Sequence, residues 1–584
     1  MEPLFIHKYI SYLHNNMHRM KRICFGVFIF ILPFLLSCEK SLDLYPKTTY
    51  SEATFFASPE NFKLFANQFY LKLPYIGLSD DRDQYSDIVV QWSLNTVSNG
   101  SYFPTPTSAV WDDSYATIRN TTYLIQKGDE ISPDFGDVST YIGEAKFFRA
   151  FSYFNLFRDF GGVPIIDKVL DLNDNDLLYG PRNSRDEVIN YIINDLDDAI
   201  DKLPVESAIS ENNKGRVSKG AAYALKARVA LFEGTWKKFR GIDGYNELLD
   251  EAIDASEQVI NSGEYEIFNR RDVLGDECYR YFFILDRVQS NIANLTKTDQ
   301  KEYILVNRFD NNVRIQPLIS VNWTPSPTKK IADMFLCTDG LPINQSPLFQ
   351  GKQTVASEYE NRDLRMKNIF FVPGTQCWEA QPPDQSRNWD NHLFGGWILK
   401  VLFGSYTRTG YLGSKFNPQV LHSSIDLPVI RYAEVLLVNA EASFERNGSI
   451  TDGVLDLTIN KLRGRAGIAK LSNDFVTTNG LDIRTEIRRE RTIELYMESQ
   501  RFDDLRRWKT AEIEMPQALK GVLWTGTQYE TDPQWSSVVF PLDPGGSIII
   551  EDASQRSFEE KHYLFSLPTR QLLLNTQLEQ NPGW

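Results

Sequence analysis

The sequence predicts a mainly α-helical protein: helical hairpins stacked into a frame, with an irregular, loop-rich part set into it. Three observations predict it. Apolar residues recur at helical spacing along several long segments. Those segments run to about 15–20 residues and arrive in pairs, the pattern of stacked helical hairpins. Between residues 265 and 427 the texture changes to Pro, Gly, Asn and Trp with only short apolar runs.

Taken in chain order, Ser58-Pro59 reads as the cap and first turn of a helix carrying Phe62, Phe65 and Phe69. Phe147, Ala150, Phe151, Phe154 and Phe157 line one face of the next strong helix, and Gly161-Gly162 reads as its C-cap and chain reversal. Ser184 and Glu187 form a capping box ahead of Val188, Ile192, Leu196 and Ala199. Ala222, Leu225, Val229 and Phe232 repeat the stripe, as do Leu248, Ala252, Ala255 and Val259. Ala433, Leu436, Leu437, Ala440 and Phe444 repeat it once more. Alanine within each stripe allows close helix–helix approach. The prolines of Thr324-Pro325-Ser326-Pro327 and Gln381-Pro382-Pro383-Asp384 mark the irregular part, the usual home of binding surfaces on a rigid frame. The expected division is 1–37, then 38–264 helical, 265–427 loop-rich, and 428–584 helical with a tail.

Export is written at the N-terminus. Lys21 and Arg22 precede the 14-residue apolar run Ile23–Leu36, which ends in Ser37-Cys38. That order of charge, greasy core and small residue is a secretory signal. The run falls short of the roughly 20 residues a spanning helix needs. Residues 1–37 are therefore expected to be the signal segment. The whole chain carries −15; the four cations and one carboxylate of residues 1–37 leave with the signal, so the remainder carries −18. Such a charge argues against a nucleic-acid partner, which needs clustered Lys and Arg. Cys278, Cys337 and Cys377 are an odd set without C-x-x-C spacing, and the six His form no ligand cluster, so neither a disulfide framework, a zinc site, metal catalysis nor a cofactor is expected.

Several blocks, in this order, resemble the SusD/RagB family of lipoproteins: Leu42–Pro46, Glu144–Ala150 with Asp159–Pro164, Lys219–Arg228, Ile430–Leu437 with Asn439–Ala442, Glu490–Leu495 with Arg501–Trp508, and Asn581–Trp584. The Leu35-Leu36-Ser37-Cys38 ending likewise resembles a lipobox, with Cys38 as the lipid attachment residue. The resemblance implies a SusD-like α/α superhelix of four tetratricopeptide-like units with an irregular ligand-facing part. It further implies a lipid-anchored protein of the outer membrane that captures glycan, or in some members peptide, for a SusC-like TonB-dependent transporter. An exported glycan-degrading enzyme and a scaffold for other proteins are the alternatives.

Glu490, Glu494 and Glu498 stand at i, i+4 and i+8, three carboxylates on one helix face. Glycoside cleavage needs two carboxylates flanking a bond, so ion pairing with Arg431, Arg488, Arg491 or Arg501 is the expected role. No phosphate loop or G-x-S-x-G elbow is present. Catalysis is not expected. The binding candidates are aromatic, because sugars stack their C–H faces on indole and phenol rings: Trp92 with Asn95, then Tyr102, in a polar early stretch, Trp323 beside a Pro-rich turn, and Trp389 between Asn388 and Asp390. Trp111 and Trp236 adjoin helices and are expected to pack.

Overall fold

The computed structural model describes residues 55–74, 82–91, 93–131, 135–286, 291–310, 313–314, 326–372, 376–377, 387–388, 407–416, 424–531 and 539–584. Cys38, Trp92, Trp323 and Trp389 lie outside them. The chain divides into two units, Met1–Asn61 and Phe62–Trp584. Of the first, the described part is the Phe55–Phe56 ring pair and the start of a helix that Pro59 opens.

The main helices are α1 (Pro59–Tyr70), α2 (Ala109–Asp129), α3 (Ser139–Phe160), α4 (Arg185–Lys202), α5 (Lys219–Lys238), α6 (Tyr245–Asn261), α7 (Tyr432–Asn447), α8 (Ile459–Ala466), α9 (Ile483–Glu494) and α10 (Arg501–Arg507). From α2 to α7 each packs on the next, and α7 in turn packs on α9. The frame is thus a run of helical hairpins, as the sequence predicts. The capping box of α4 forms as read, with Ser184 and Glu187 each bonding the other's backbone. Gly161 caps α3 at φ 75°, donating its N–H to Phe157 O.

The stripes predicted for α3 to α7 are buried, as are Phe62 and Phe69 of α1, while Phe65 is half-buried. In α3, however, burial extends around the whole helix and takes in Glu144, Arg149 and Asp159. The charges are matched by neighbours: Arg216 grips Glu144, Asp195 accepts two bonds from Arg149, and Arg82 donates to Asp159. The same device ties distant family-like blocks together, as where Arg228 of α5 makes a bidentate pair with Glu434 of α7. Trp111 and Trp236 are buried, as expected.

Four antiparallel strand pairs complete the described part: β1 (Val89–Val90) with β3 (Ser326–Pro327), β2 (Tyr303–Asn307) with β6 (Leu427–Arg431), β4 (Gln376–Cys377) with β5 (Arg387–Asn388), and β7 (Leu519–Leu523) with β8 (Ser547–Glu551). The stretch read as irregular does more than carry loops. Phe282, Ile331, Phe335, Ile369, Phe370 and Leu412 form a large apolar core there with Ile493, Tyr496 and Val522. Short helices broken by Pro and Gly hide this core from a periodicity reading, because no stripe lasts two turns.

Candidate functional site

Two places deserve the name of candidate site by their chemistry: the three-carboxylate face and the loops that carry the predicted aromatics. The first resolves into structure. Helix α9 ends at Glu494, so Glu498 is not on its face. The chain reverses through Met497 at φ 60° and Ser499 at φ 63°, a left-handed conformation uncommon outside glycine, and this turns Glu498 back toward Glu494. Glu490 accepts from Arg365 at 2.6 Å and Arg463 at 3.1 Å. Glu494 accepts from Arg365 at 2.8 Å, from Arg431 at 2.7 Å and from Arg465. Glu498 is held by Lys415 at 2.6 Å and Arg431 at 2.7 Å. Glu302 bridges Arg431 and Arg465, and Asp363 pairs with Arg365.

Pairing is therefore the role of these carboxylates, but with other partners than expected. Of the predicted arginines only Arg431 takes part. Arg491 pairs with Asp504, Arg501 with Asp87, and Arg488 lies over the Phe239 and Trp508 rings. Every oxygen that would have to meet a glycosidic bond is engaged by a cation.

Electrostatics follow from burial and pairing. Burial alone pushes the Glu494 carboxyl up, but Arg465, Arg431 and Arg365 outweigh it and hold it well below the usual carboxylate range. Burial raises Glu441 too, yet the Arg507 charge and its hydrogen bonds bring it down to about 2. Asp87, facing Arg501 and Lys330, and Asp503, facing Arg82 and Arg158, are likewise lowered against the cost of burial. Burial moves Glu144 the other way despite Arg216. A carboxyl lowered by folding gives stability that is full above its unfolded value, near 4.3 for Glu and 3.9 for Asp, and is lost as pH falls through the folded value. The lowered set outnumbers the raised one, so the melting temperature is expected to fall steadily from pH 5 to pH 2.5. A melting temperature that held or rose over that range would contradict the assignment.

The loop site is built on β1 and β3. Their register pairs Val89 with Pro327 and Val90 with Ser326. Because the pair is antiparallel, the C-terminal end of β1 at Val90 and the N-terminal end of β3 at Ser326 lie at one end of it. Thr328 fixes the other end, its N–H bonding Ile88 O and its hydroxyl Asp87 O. A third segment joins at the same end. Arg408 donates its N–H to Ser326 Oγ at 3.1 Å and its Nη1 to Gln91 O at 2.9 Å. The guanidinium is half-buried, and its other donors have no partner among the described residues. Strand β7 supports this segment from behind, with Val522 N–H on Thr409 O at 2.8 Å. A Cβ at Gly521 would meet that oxygen at 2.5 Å, so the approach requires glycine.

Asn95 follows in a loop it closes itself: its Oδ1 accepts from Val97 N at 3.0 Å and Ser98 N at 3.1 Å, and its Nδ2 makes a long bond to Gln91 Oε1. Tyr102 stands edge-on to Phe565 and to Trp584 at 5.3 and 5.4 Å, with its hydroxyl at Ser566 Oγ. It thereby ties the early loop to the C-terminal tail, whose Trp584 donates to Leu564 O and whose Asn581 donates to Phe160 O. Arg408, which the sequence reading did not single out, bonds both the early and the central segment where they meet. A lone Arg in Thr407-Arg408-Thr409 carries no sequence signal for that.

Comparison with known proteins gives a consistent picture. Residues 310–584 match the model of the SusD family, and residues 62–231 match a SusD-like model described as "starch-binding associating with outer membrane". A SusD-like protein of Bacteroides ovatus is 24% identical over 507 residues, spanning 82% of this chain and 80% of its own length. SusD-like protein P25 of Formosa agariphila is 22% identical over 522 residues, spanning 85% of this chain and 92% of its own length. Among solved structures, a SusD-like protein of Bacteroides fragilis superposes with TM-score 0.70 at 24% identity, over 91% of this chain and 99% of that one. A second B. fragilis protein, described as a SusD-like carbohydrate-binding protein, gives 0.69 at 22% identity over 90% and 100%. With the SusD-family model matching residues 310–584, a SusD-like model matching residues 62–231, and a fold shared with solved SusD-like structures, the chain belongs to the SusD family.

Proposed function

We propose that this protein is a non-catalytic glycan-capture lipoprotein. In this reading residues 1–37 direct export, Cys38 carries the lipid that holds the chain on the outer membrane, and bound glycan passes to a SusC-like TonB-dependent transporter. The observation that carries it is the meeting of three segments at Val90, Ser326 and Arg408, two of which lead in sequence to the candidates Trp92 and Trp323. Rings on those segments would offer stacking faces, and the spare N–H groups of Arg408 would bond sugar hydroxyls. The family model naming starch binding and outer-membrane association, and the relative described as carbohydrate-binding, support the ligand class and the address. The apolar run before Cys38 supports export. Full engagement of Glu490, Glu494 and Glu498 by cations supports binding without hydrolysis.

Screening the purified chain against a polysaccharide panel tests this. A preformed arc of rings freezes few side-chain rotors on binding. Short oligosaccharides of the preferred glycan should then bind in the micromolar to millimolar range, about −8 to −4 kcal/mol. Trp92→Ala, Trp323→Ala or Arg408→Ala should each weaken that binding at least fivefold with the melting temperature held within about two degrees. Normal binding by all three would move the ligand surface elsewhere, Trp389 being the next position to test. Hydrolysis of the bound glycan would end the non-catalytic reading.

A further inference from the structure

Away from the loop site, a cleft of about 340 Å³ opens between α1, the 211–216 turn and the end of β2. Its volume lies within the roughly 300–1,000 Å³ range of small-ligand sites. Five cations line it, Lys63, Lys214, Arg216, Arg308 and Arg314, and among the described residues no carboxylate does. That is unexpected on a chain of net charge −15. The nearest acids are accounted for. Glu144 lies beneath the cleft and is taken up by Arg216; Glu206 is 3.8 Å from Lys214; Asp426, 3.9 Å from Arg308, is closer to Lys297 at 2.8 Å. The side chains that line the cleft among the described residues are thus cationic or neutral.

The cations are also placed rather than scattered. Arg216 is spent on Glu144 and Asn67 and is capped by the Tyr70 ring, which makes it a rigid floor. Arg308 lies across the turn, donating Nη1 to Lys214 O, and it can do so because residue 215 is glycine. Gly215 has φ +88°, and a Cβ there would meet Arg308 Cδ at 2.2 Å. Nη2 of Arg308 has no partner among the described residues, and the side chain is 49% exposed. Arg314 is oriented by Asn307 Oδ1 at 2.7 Å, and Asn307 is itself buried and fixed on Leu73 O and Pro74 O. A planar guanidinium held this way, beside a lysine, matches a carboxylate or sulfate group.

The geometry points to a second glycan subsite in this cleft that takes an anionic sugar, one bearing a carboxylate or a sulfate ester. The inference rests on the glycan-capture reading and narrows its ligand to charged polysaccharides. Its recognition is electrostatic, so affinity falls with ionic strength, unlike stacking at the loop site.

Titration calorimetry on the full chain in detergent tests it with four ligands: a galacturonate oligosaccharide, a dextran sulfate oligosaccharide, an uncharged dextran oligosaccharide of equal length, and inorganic sulfate. The expected result is binding of one or both charged oligosaccharides, the one that binds naming the anion, with a tenfold or greater loss in Arg308→Gln. Lys214→Gln, on a side chain 36% exposed, gives the same readout should Arg308→Gln lower the melting temperature. Neutral-glycan binding should be unchanged in both. Wild-type affinity for charged ligands in both variants overturns the subsite, as does equal loss for charged and neutral ligands. Binding of inorganic sulfate without any charged oligosaccharide means an adventitious ion only and overturns it too. If only neutral glycans bind, the subsite falls and glycan capture stands; if no glycan of the wider panel binds, both fall.

Discussion

Glu494→Gln is expected to destabilise the protein by about 3–5 kcal/mol, the usual cost of breaking a buried pair from one side. The side chain is fully buried, and its two oxygens take bonds from Arg365, Arg431 and Arg465. Around it, Glu302, Glu490, Glu498 and Asp363 face those three arginines with Arg463 and Lys415, so five carboxylates meet five cations. Gln has the same shape, so the change opens no cavity. What it removes is one charge from a balanced set, leaving three guanidinium groups sharing fewer anions where water cannot reach them. Denaturant unfolding at pH 7 reads the loss as a shift of midpoint at unchanged slope. The control is Glu130→Gln, which breaks an exposed pair with Lys127 and should not move the midpoint. An equal response of both variants would mean that the buried set contributes no more than a surface pair. Glycan affinity of the folded variant should stay at the wild-type value. Loss of a hydrolytic activity in Glu494→Gln would reverse the reading of these carboxylates as frame.

That network marks the limit of what was legible in the sequence. The helices were legible because an apolar stripe repeats locally: Ala222, Leu225, Val229 and Phe232 announce α5 without any knowledge of its neighbours. Caps were legible for the same reason, since Ser184 and Glu187 are three residues apart. That Glu490 and Glu494 would be paired could be argued from charge on a helix near arginines. Which arginines could not. Arg365 is 125 residues from Glu490, while Arg488 and Arg491, adjacent in sequence, point to other partners. The loop site divides in the same way. Asn95 stands in a polar stretch that suits sugar hydroxyls, but an Asn followed by Thr-Val-Ser also suits closing its own turn, and its Oδ1 does that. Arg408 and Gly521 acquire meaning only when β1, β3 and β7 bring their segments together. The basic cleft draws Lys63, Arg216 and Arg308 from three separate stretches, none of which is a charge run.

Phe232→Ala is the second large effect, expected at about 3–5 kcal/mol. Its ring meets Phe154 edge-on at 5.7 Å and Phe157 at 6.3 Å, and stacks on Trp236 at 6.1 Å, so one side chain joins α3 to α5. The surrounding groups are poor at closing a void. Phe157 and Trp236 are pinned by the Arg185 guanidinium lying 4.3 and 4.4 Å from their ring centres, and Arg185 is in turn held by Glu233. Partial collapse would have to break that sandwich, so most of the removed volume should remain as a cavity, which is what makes truncation costly. Phe232→Leu keeps much of the volume and should cost less than half as much. The comparison separates packing from simple loss of hydrophobicity, since a transfer effect alone would scale with the apolar area removed. Because the ring belongs to the frame, glycan affinity per folded molecule should not change in either variant, whereas Trp92→Ala and Trp323→Ala are expected to lose affinity and keep stability. Were Phe232→Ala to weaken binding while melting normally, the helical face of α5 would be part of the ligand surface, and the division between a rigid helical frame and a binding loop region would have to be redrawn.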